Sequence, residues 1–151
     1  MAESQIQQGE KKKAIRFIGL GLLLLIAFGV NYLLVYDLSY TPNGYEVVAK
    51  DEESITIQTY DIFNMEEKAY TTTFSGNEKW RVESLTDSVE RHKLNLYFLF
   101  TCITISSSLF IIYRKEGFSL WKAFWRGHGY SFIPPLAQLS SISSRIMDII
   151  G

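Results

Sequence analysis

The chain has 151 residues, of which 47% are hydrophobic and 21% charged, with a formal net charge of -1. That length allows one ordinary domain at most. A single cysteine, Cys102, excludes a disulfide framework within the chain.

The near-neutral total conceals a segregation. Residues 1–13 form a polar lead that carries Glu3 and Glu10 and closes on Lys11, Lys12 and Lys13, with Arg16 following. Residues 17–36, FIGLGLLLLIAFGVNYLLVY, then run for twenty positions without a charged side chain. At about 1.5 Å per residue this is enough helix to cross a hydrocarbon core of roughly 30 Å. The apolar run exceeds a usual signal core and VYDLSY has no small-residue cleavage pattern, so 14–36 reads as a retained transmembrane anchor. Within it Gly19, Gly21, Ala27 and Gly29 are small, and Asn31 is the one amide, suited to packing against a sister helix or another protein.

Residues 37–85 read as a small antiparallel β domain. ESITIQTY (53–60) alternates, with Ile55, Ile57 and Thr59 on one face, and YEVVA (45–49), KAYTTTF (68–74) and KWRVE (79–83) are strand-like by their β-branched and aromatic content. TPNG (41–44), KDEE (50–53) and SGN (75–77) punctuate them as turns. The core candidates are Val47, Ile55, Ile57, Ile62, Phe63, Tyr70, Phe74, Trp80 and Val82, too few to offset the ordering of the segment. The domain is expected to lean on its own helix, the membrane surface or a partner.

Residues 86–115 are expected to form one helix, opened by Ser84 or Thr86 as a cap and containing a second uncharged run of twenty, LNLYFLFTCITISSSLFIIY (94–113). Leu85, Val89 and His92 approximate a shelf for the sheet. His92, flanked by Glu90, Arg91 and Lys93, reads as a solvated side chain at the membrane boundary. Thr101, Thr104 and Ser108 fall on one helix face, with Ser107 beside them, as a stripe for helix packing.

Residues 116–130 form an aromatic segment. FSLWKAFW (118–125) sets Phe118, Trp121 and Trp125 on one face, with Phe124 at its border, and Lys122 and Arg126 elsewhere. Trp121, Lys122, Phe124, Trp125 and Arg126 are the expected interface anchors, rings at headgroup depth and cations on phosphates. The positive charge is too sparse for a nucleic-acid patch, and GHGY (127–130) ends the helix. Residues 131–151 read as an amphipathic helix with Pro135 in its opening turn and Leu136, Leu139, Ile142, Ile146 and Ile149 or Ile150 along one side, a stripe that either lies on the inner leaflet or docks into a partner.

The charge bias orients the spans. Lys11, Lys12, Lys13 and Arg16 precede the first, and Arg114, Lys115, Lys122 and Arg126 follow the second, whereas residues 37–91 carry twelve acidic and five basic side chains, 5 − 12 = -7. The expected fold class is an α+β membrane protein: two transmembrane helices flanking a small extracytoplasmic antiparallel β domain, with cytoplasmic amphipathic C-terminal helices. Both termini are then cytoplasmic, in a multi-pass protein of the cell membrane. In the absence of an organelle-targeting extension the bacterial plasma membrane is the expected compartment.

Neither span carries an ionisable residue at its middle, which argues against a proton relay, an ion pump or a charged-substrate carrier. GxSxG, HExxH, CxxC, Walker A and dinucleotide-binding glycine patterns are absent, and Glu52 with Glu53 and Glu66 with Glu67 read as solvated turn residues. No catalytic role, cofactor or metal is expected. The expected function is a non-catalytic accessory or stabilising subunit of a larger integral membrane complex. Its partners are membrane lipids and that larger protein, not nucleic acid, with homo-oligomers admitted. Asn31, Thr101, Thr104, Ser108, Leu136, Leu139, Ile142, Ile146 and Ile149 are the docking candidates. The alternative is a membrane-anchored regulator or sensor whose acidic outer domain binds a peptide, cation or envelope component and signals through the second span.

Overall fold

The computed structural model describes residues 2–150, except for the side chains of 2–9, 12 and 13; those of Glu3, Lys12 and Lys13 therefore lie outside the described residues. In chain order the elements are α1 (Ala2–Tyr32), β1 (Tyr45–Lys50), β2 (Ser54–Tyr60), β3 (Glu66–Thr73), α2 (Trp80–Lys115), α3 (Leu120–Arg126) and α4 (Ile133–Ile150). The fold is α+β, with a three-stranded antiparallel sheet in the order β1-β2-β3. Two helical segments, Ala14–Asp37 and Gly76–Lys115, are long and apolar enough to cross a membrane.

α1 ends in a wider turn over Leu33–Asp37, where the Leu38 N–H donates to Leu33 O at 2.9 Å, five residues back. The following loop is fixed by the Asn64 side chain and one glycine. The Thr41 N–H donates to Asn64 Oδ1 at 2.7 Å, and a Cβ at Gly44 would clash with the Thr41 carbonyl, which reserves this tight turn for glycine. Asp61 Oδ1 accepts the N–H groups of Phe63 and Met65, both at 2.8 Å, and closes the β2–β3 connection as an Asx turn.

The alternation in β2 holds: Ile55, Ile57 and Thr59 are buried and their neighbours less so. β1 slips by one residue between Val47 and Ala49, so Val48 bulges outward and stays exposed. Where the β2–β3 ladder shifts near Thr59, its hydroxyl substitutes for the lost pairing. Thr59 Oγ1 donates to Lys68 O at 3.1 Å and lies 3.2 Å from the Lys68 N–H.

The inner face of the sheet is closed by two helices from distant parts of the chain. Tyr45, Ile55, Ile57 and Phe74 form one core with Val82, Leu85 and Val89 of α2 and with Ile146 of α4; Val47, Ile142, Ile149 and Ile150 pack at its edge. The shelf of Leu85 and Val89 is present as expected, and His92 is buried along with it. The isoleucine stripe of α4 shares it.

Four sequence expectations change. KWRVE is not a strand, because Val82 continues the helical stripe Leu85, Val89, Leu96 and joins α2, which therefore begins at Trp80. Ile62 and Phe63 are not core: they occupy the tip of the β2–β3 turn, beyond the covering helices, and Phe63 is 72% exposed. Trp80, at the first turn of α2, is also exposed. The most consequential change concerns sides. The sheet and the C-terminal helix were expected on opposite sides of a bilayer, yet Ile146 is 0% exposed in the core of the sheet, so no bilayer passes between them. The physical reason is the shortage of core residues already visible in 37–85, which α4 makes good.

Ile146→Ala is expected to lower stability by roughly 2–5 kcal/mol, read as a fall in thermal midpoint by circular dichroism in detergent. Ser144→Ala, on the exposed side of the same helix, is expected to stay within about 0.5 kcal/mol. Equal effects would show that Ile146 does not seal the sheet.

Candidate functional site

α2 and α4 run antiparallel beneath the sheet, and a buried histidine of α2 meets a serine of α4 there. His92 is 3% exposed. Its ring stands edge-on to Tyr45 with centroids 5.1 Å apart, and its Nε2 lies 3.2 Å from Ser143 Oγ. One residue from each of β1, α2 and α4 therefore meets at a single point. Burial alone pushes the His92 pKa down to about 4, since the low-dielectric pocket disfavours the charged ring. The expectation of a solvated interfacial histidine is corrected: its helical position, three residues beyond Val89, turns it under the sheet and away from Arg91 and Lys93.

A second polar fastener joins α1 to α2. Asn31, buried, donates through Nδ2 to Ala27 O at 2.7 Å and to Thr104 Oγ1 at 3.1 Å. Thr104 in turn donates to Phe100 O at 2.8 Å. Toward the sheet, Tyr32, Tyr36 and Tyr97 stack into an aromatic collar, capped by Lys93 Nζ 5.6 Å from the Tyr36 ring centroid. At the far end Arg16 and Glu116 form an ion pair at 3.3 Å.

A third fastener holds the break between α3 and α4. Gly127 lies against the α2 backbone at Ser106 and Phe110, where a Cβ would be crowded. Ser106 Oγ donates to His128 O at 3.1 Å and lies 3.1 Å from Ser131 Oγ. The non-helical backbone of 127–132 thus has its own partner on α2.

The residues singled out in the sequence divide accordingly. Asn31 and Thr104 come together. Thr101 is buried and donates to Tyr97 O, and Ser108 donates to Thr104 O, each at 2.8 Å within α2. Leu139 and Ile146 are buried inside the chain, Ile142 and Ile149 are partly buried, and Leu136 is exposed. In α3, Trp121 and Trp125 are exposed, Trp121 stacks on Phe124, and Arg126 lies over the Phe118 ring at 4.5 Å. Glu53 pairs with Lys79 at 2.6 Å, and among the described residues no three His, Cys, Asp or Glu side chains are grouped to hold a metal ion. Sequence reasoning missed His92 with Ser143 and Ser106 with Ser131. The available signal was the helical continuation Val82, Leu85, Val89, His92.

Against known proteins, no family model matches the chain, and neither curated proteins nor solved structures gave a significant match.

Two outcomes follow from this geometry. Because the unfolded chain binds the proton at the ordinary 6.5 and the folded chain only near 4, the stability contributed by neutral His92 is intact above about pH 6.5 and lost as pH falls toward 4. The loss reaches about 3 kcal/mol. Thermal midpoints of the native chain should decline between pH 6.5 and 5, and His92→Gln should flatten that slope. For the interhelical pair, a double-mutant cycle of Asn31→Leu and Thr104→Val is expected to give a coupling of roughly 0.5–1.5 kcal/mol in detergent. An additive cycle would remove this bond from the account of how α1 docks.

Proposed function

We propose that the chain is a non-catalytic accessory or stabilising subunit of a larger integral membrane assembly, held in the bilayer by α1 and α2. One observation supports it most: the buried polar side chains close internal contacts, while α1 keeps a long apolar face to which the chain contributes nothing. Leu25 is 72% exposed, and Cβ atoms built at Gly21 and Gly29 meet nothing within 4 Å. Gly21, Leu25 and Gly29 recur at four-residue spacing, a face on which another helix packs closely.

In this reading the basic residues at the end of the α1–α2 pair far from the sheet, Arg16 with Arg114 and Lys115, mark the cytoplasmic side. The acidic sheet is outside, and α4 ends with it there. The segment between Lys115 and Gln138 then returns across the membrane as two short helices broken at Gly127–Phe132. α3 sits near the inner headgroups, with Trp121, Trp125, Lys122 and Arg126 as its anchors. The break is compatible with membrane depth because Ser106 and the α2 backbone cover it.

The alternative, a sensor whose outer sheet binds a peptide, cation or envelope component, draws on the unbroken run of α2 from beneath the sheet to Lys115.

Purification from native membranes in mild detergent, after crosslinking, is expected to retain a larger membrane protein with the chain. Gly21→Leu with Gly29→Leu should reduce that recovery severalfold at an unchanged thermal midpoint. A chain recovered alone with or without crosslinking, while still integral to the membrane, would overturn the subunit reading and favour the sensor.

A further inference from the structure

The groove between α2 and α4 has a polarity gradient that matches one leaflet of a bilayer. Its volume is about 690 Å³, within the range of clefts that hold small ligands. Along α2 its wall is Ser88 and Arg91, then Leu94, Phe98 and Cys102 at four-residue steps with Asn95 beside them; along α4 it is Arg145, Ile142 and Ser141, then Gln138 and the Pro134–Pro135 pair. The His92–Ser143 contact fixes the antiparallel register, so Arg91 and Arg145 stand at the same end. No acidic side chain lines the groove, and among the described residues neither arginine enters an ion pair. Asp87 and Glu90 border Arg91 on its other flank.

From Arg91 to Cys102 the helix rises about 16 Å, close to half of a hydrocarbon core of roughly 30 Å. Arg91 lies just outside the uncharged run that begins at Leu94. Two guanidinium groups at headgroup height and the strip Leu94, Phe98 and Cys102 running one leaflet deep are complementary to an anionic amphiphile lying along the groove, with Asn95 and Gln138 at its sides near the interface. Guanidinium binds phosphate through paired N–H donors.

We propose that this groove is a seat for one anionic phospholipid, its phosphate held by Arg91 and Arg145 and one acyl chain lying over Leu94, Phe98 and Cys102. The proposal rests on the membrane placement above but not on the existence of a protein partner. It assigns the two arginines a role that the α2–α4 packing does not require, since both side chains are exposed at the mouth of the groove. Cys102, the only cysteine, reports from the floor.

The test uses the full chain in nanodiscs of equal phosphatidylglycerol and phosphatidylcholine. Native mass spectrometry is expected to find one phosphatidylglycerol retained per chain, and N-ethylmaleimide should alkylate Cys102 more slowly than in pure phosphatidylcholine. Arg91→Gln and Arg145→Gln should each weaken retention roughly fivefold, at unchanged circular dichroism, and the paired lysine variants should recover most of it. Equal retention of the two lipids by an alkali-resistant, membrane-integral chain overturns the lipid seat alone. Extraction of the chain by alkaline carbonate overturns the membrane placement and the seat together. Protection of Cys102 by inorganic phosphate alone, or protection in native membranes that follows a crosslinked protein rather than the lipid added, also overturns the seat.

Discussion

Three short strands expose one apolar face, and Tyr45, Ile55, Ile57 and Phe74 on that face have too little area to close a core among themselves. Ile146, with Ile142, Ile149 and Ile150 beside it, supplies the missing wall, while Val82, Leu85 and Val89 supply the other. The rest of the structure depends on this seal. It draws α4 back along α2, and that return buries His92 against Ser143 and sets Arg145 at the height of Arg91. The return passes through the break at Gly127–Phe132, which Ser106 of α2 holds.

The polar side chains inside this apolar frame follow a simple division. Thr86, Ser88, Thr101, Thr104 and Ser108 return their hydroxyls to carbonyls one turn back, and need no partner from another element. Asn31, Ser106 and His92 do reach across, and each sits where a different element joins α2: α1, the α3–α4 break, and α4 with the sheet. Among the described residues no buried side-chain nitrogen or oxygen is left without a hydrogen-bond partner. Such groups fix register more than they add stability, because a slipped helix would leave them unpaired.

Much of the fold was legible because its signals are local. The alternation of Ile55, Ile57 and Thr59 gave β2, two uncharged runs of twenty gave the long helices, and the glycines at 127 and 129 gave the end of α3. The isoleucine stripe of α4 was equally plain, and so was the shortage of core in 37–85. What periodicity does not carry is which surface meets which. Charge bias assigned the tail to the side of Arg114 and Lys115, but it says nothing of a chain that turns back, and Ile62 and Phe63 look like core until the turn that presents them is known. His92 was misjudged by its sequence neighbours, although its place one turn beyond Val89 held the answer. The docking candidates fared unevenly for the same reason: Asn31 and Thr104 found each other, while Leu139 and Ile146 turned inward.

The seal joins Tyr45 to Ile146, positions about a hundred residues apart. During synthesis the strands are complete long before the helix that covers them exists, so the growing chain carries an uncovered sheet with two free edges. The sheet is made early and closed late: its core is complete only when the turns of α4 around Ile146 have been added.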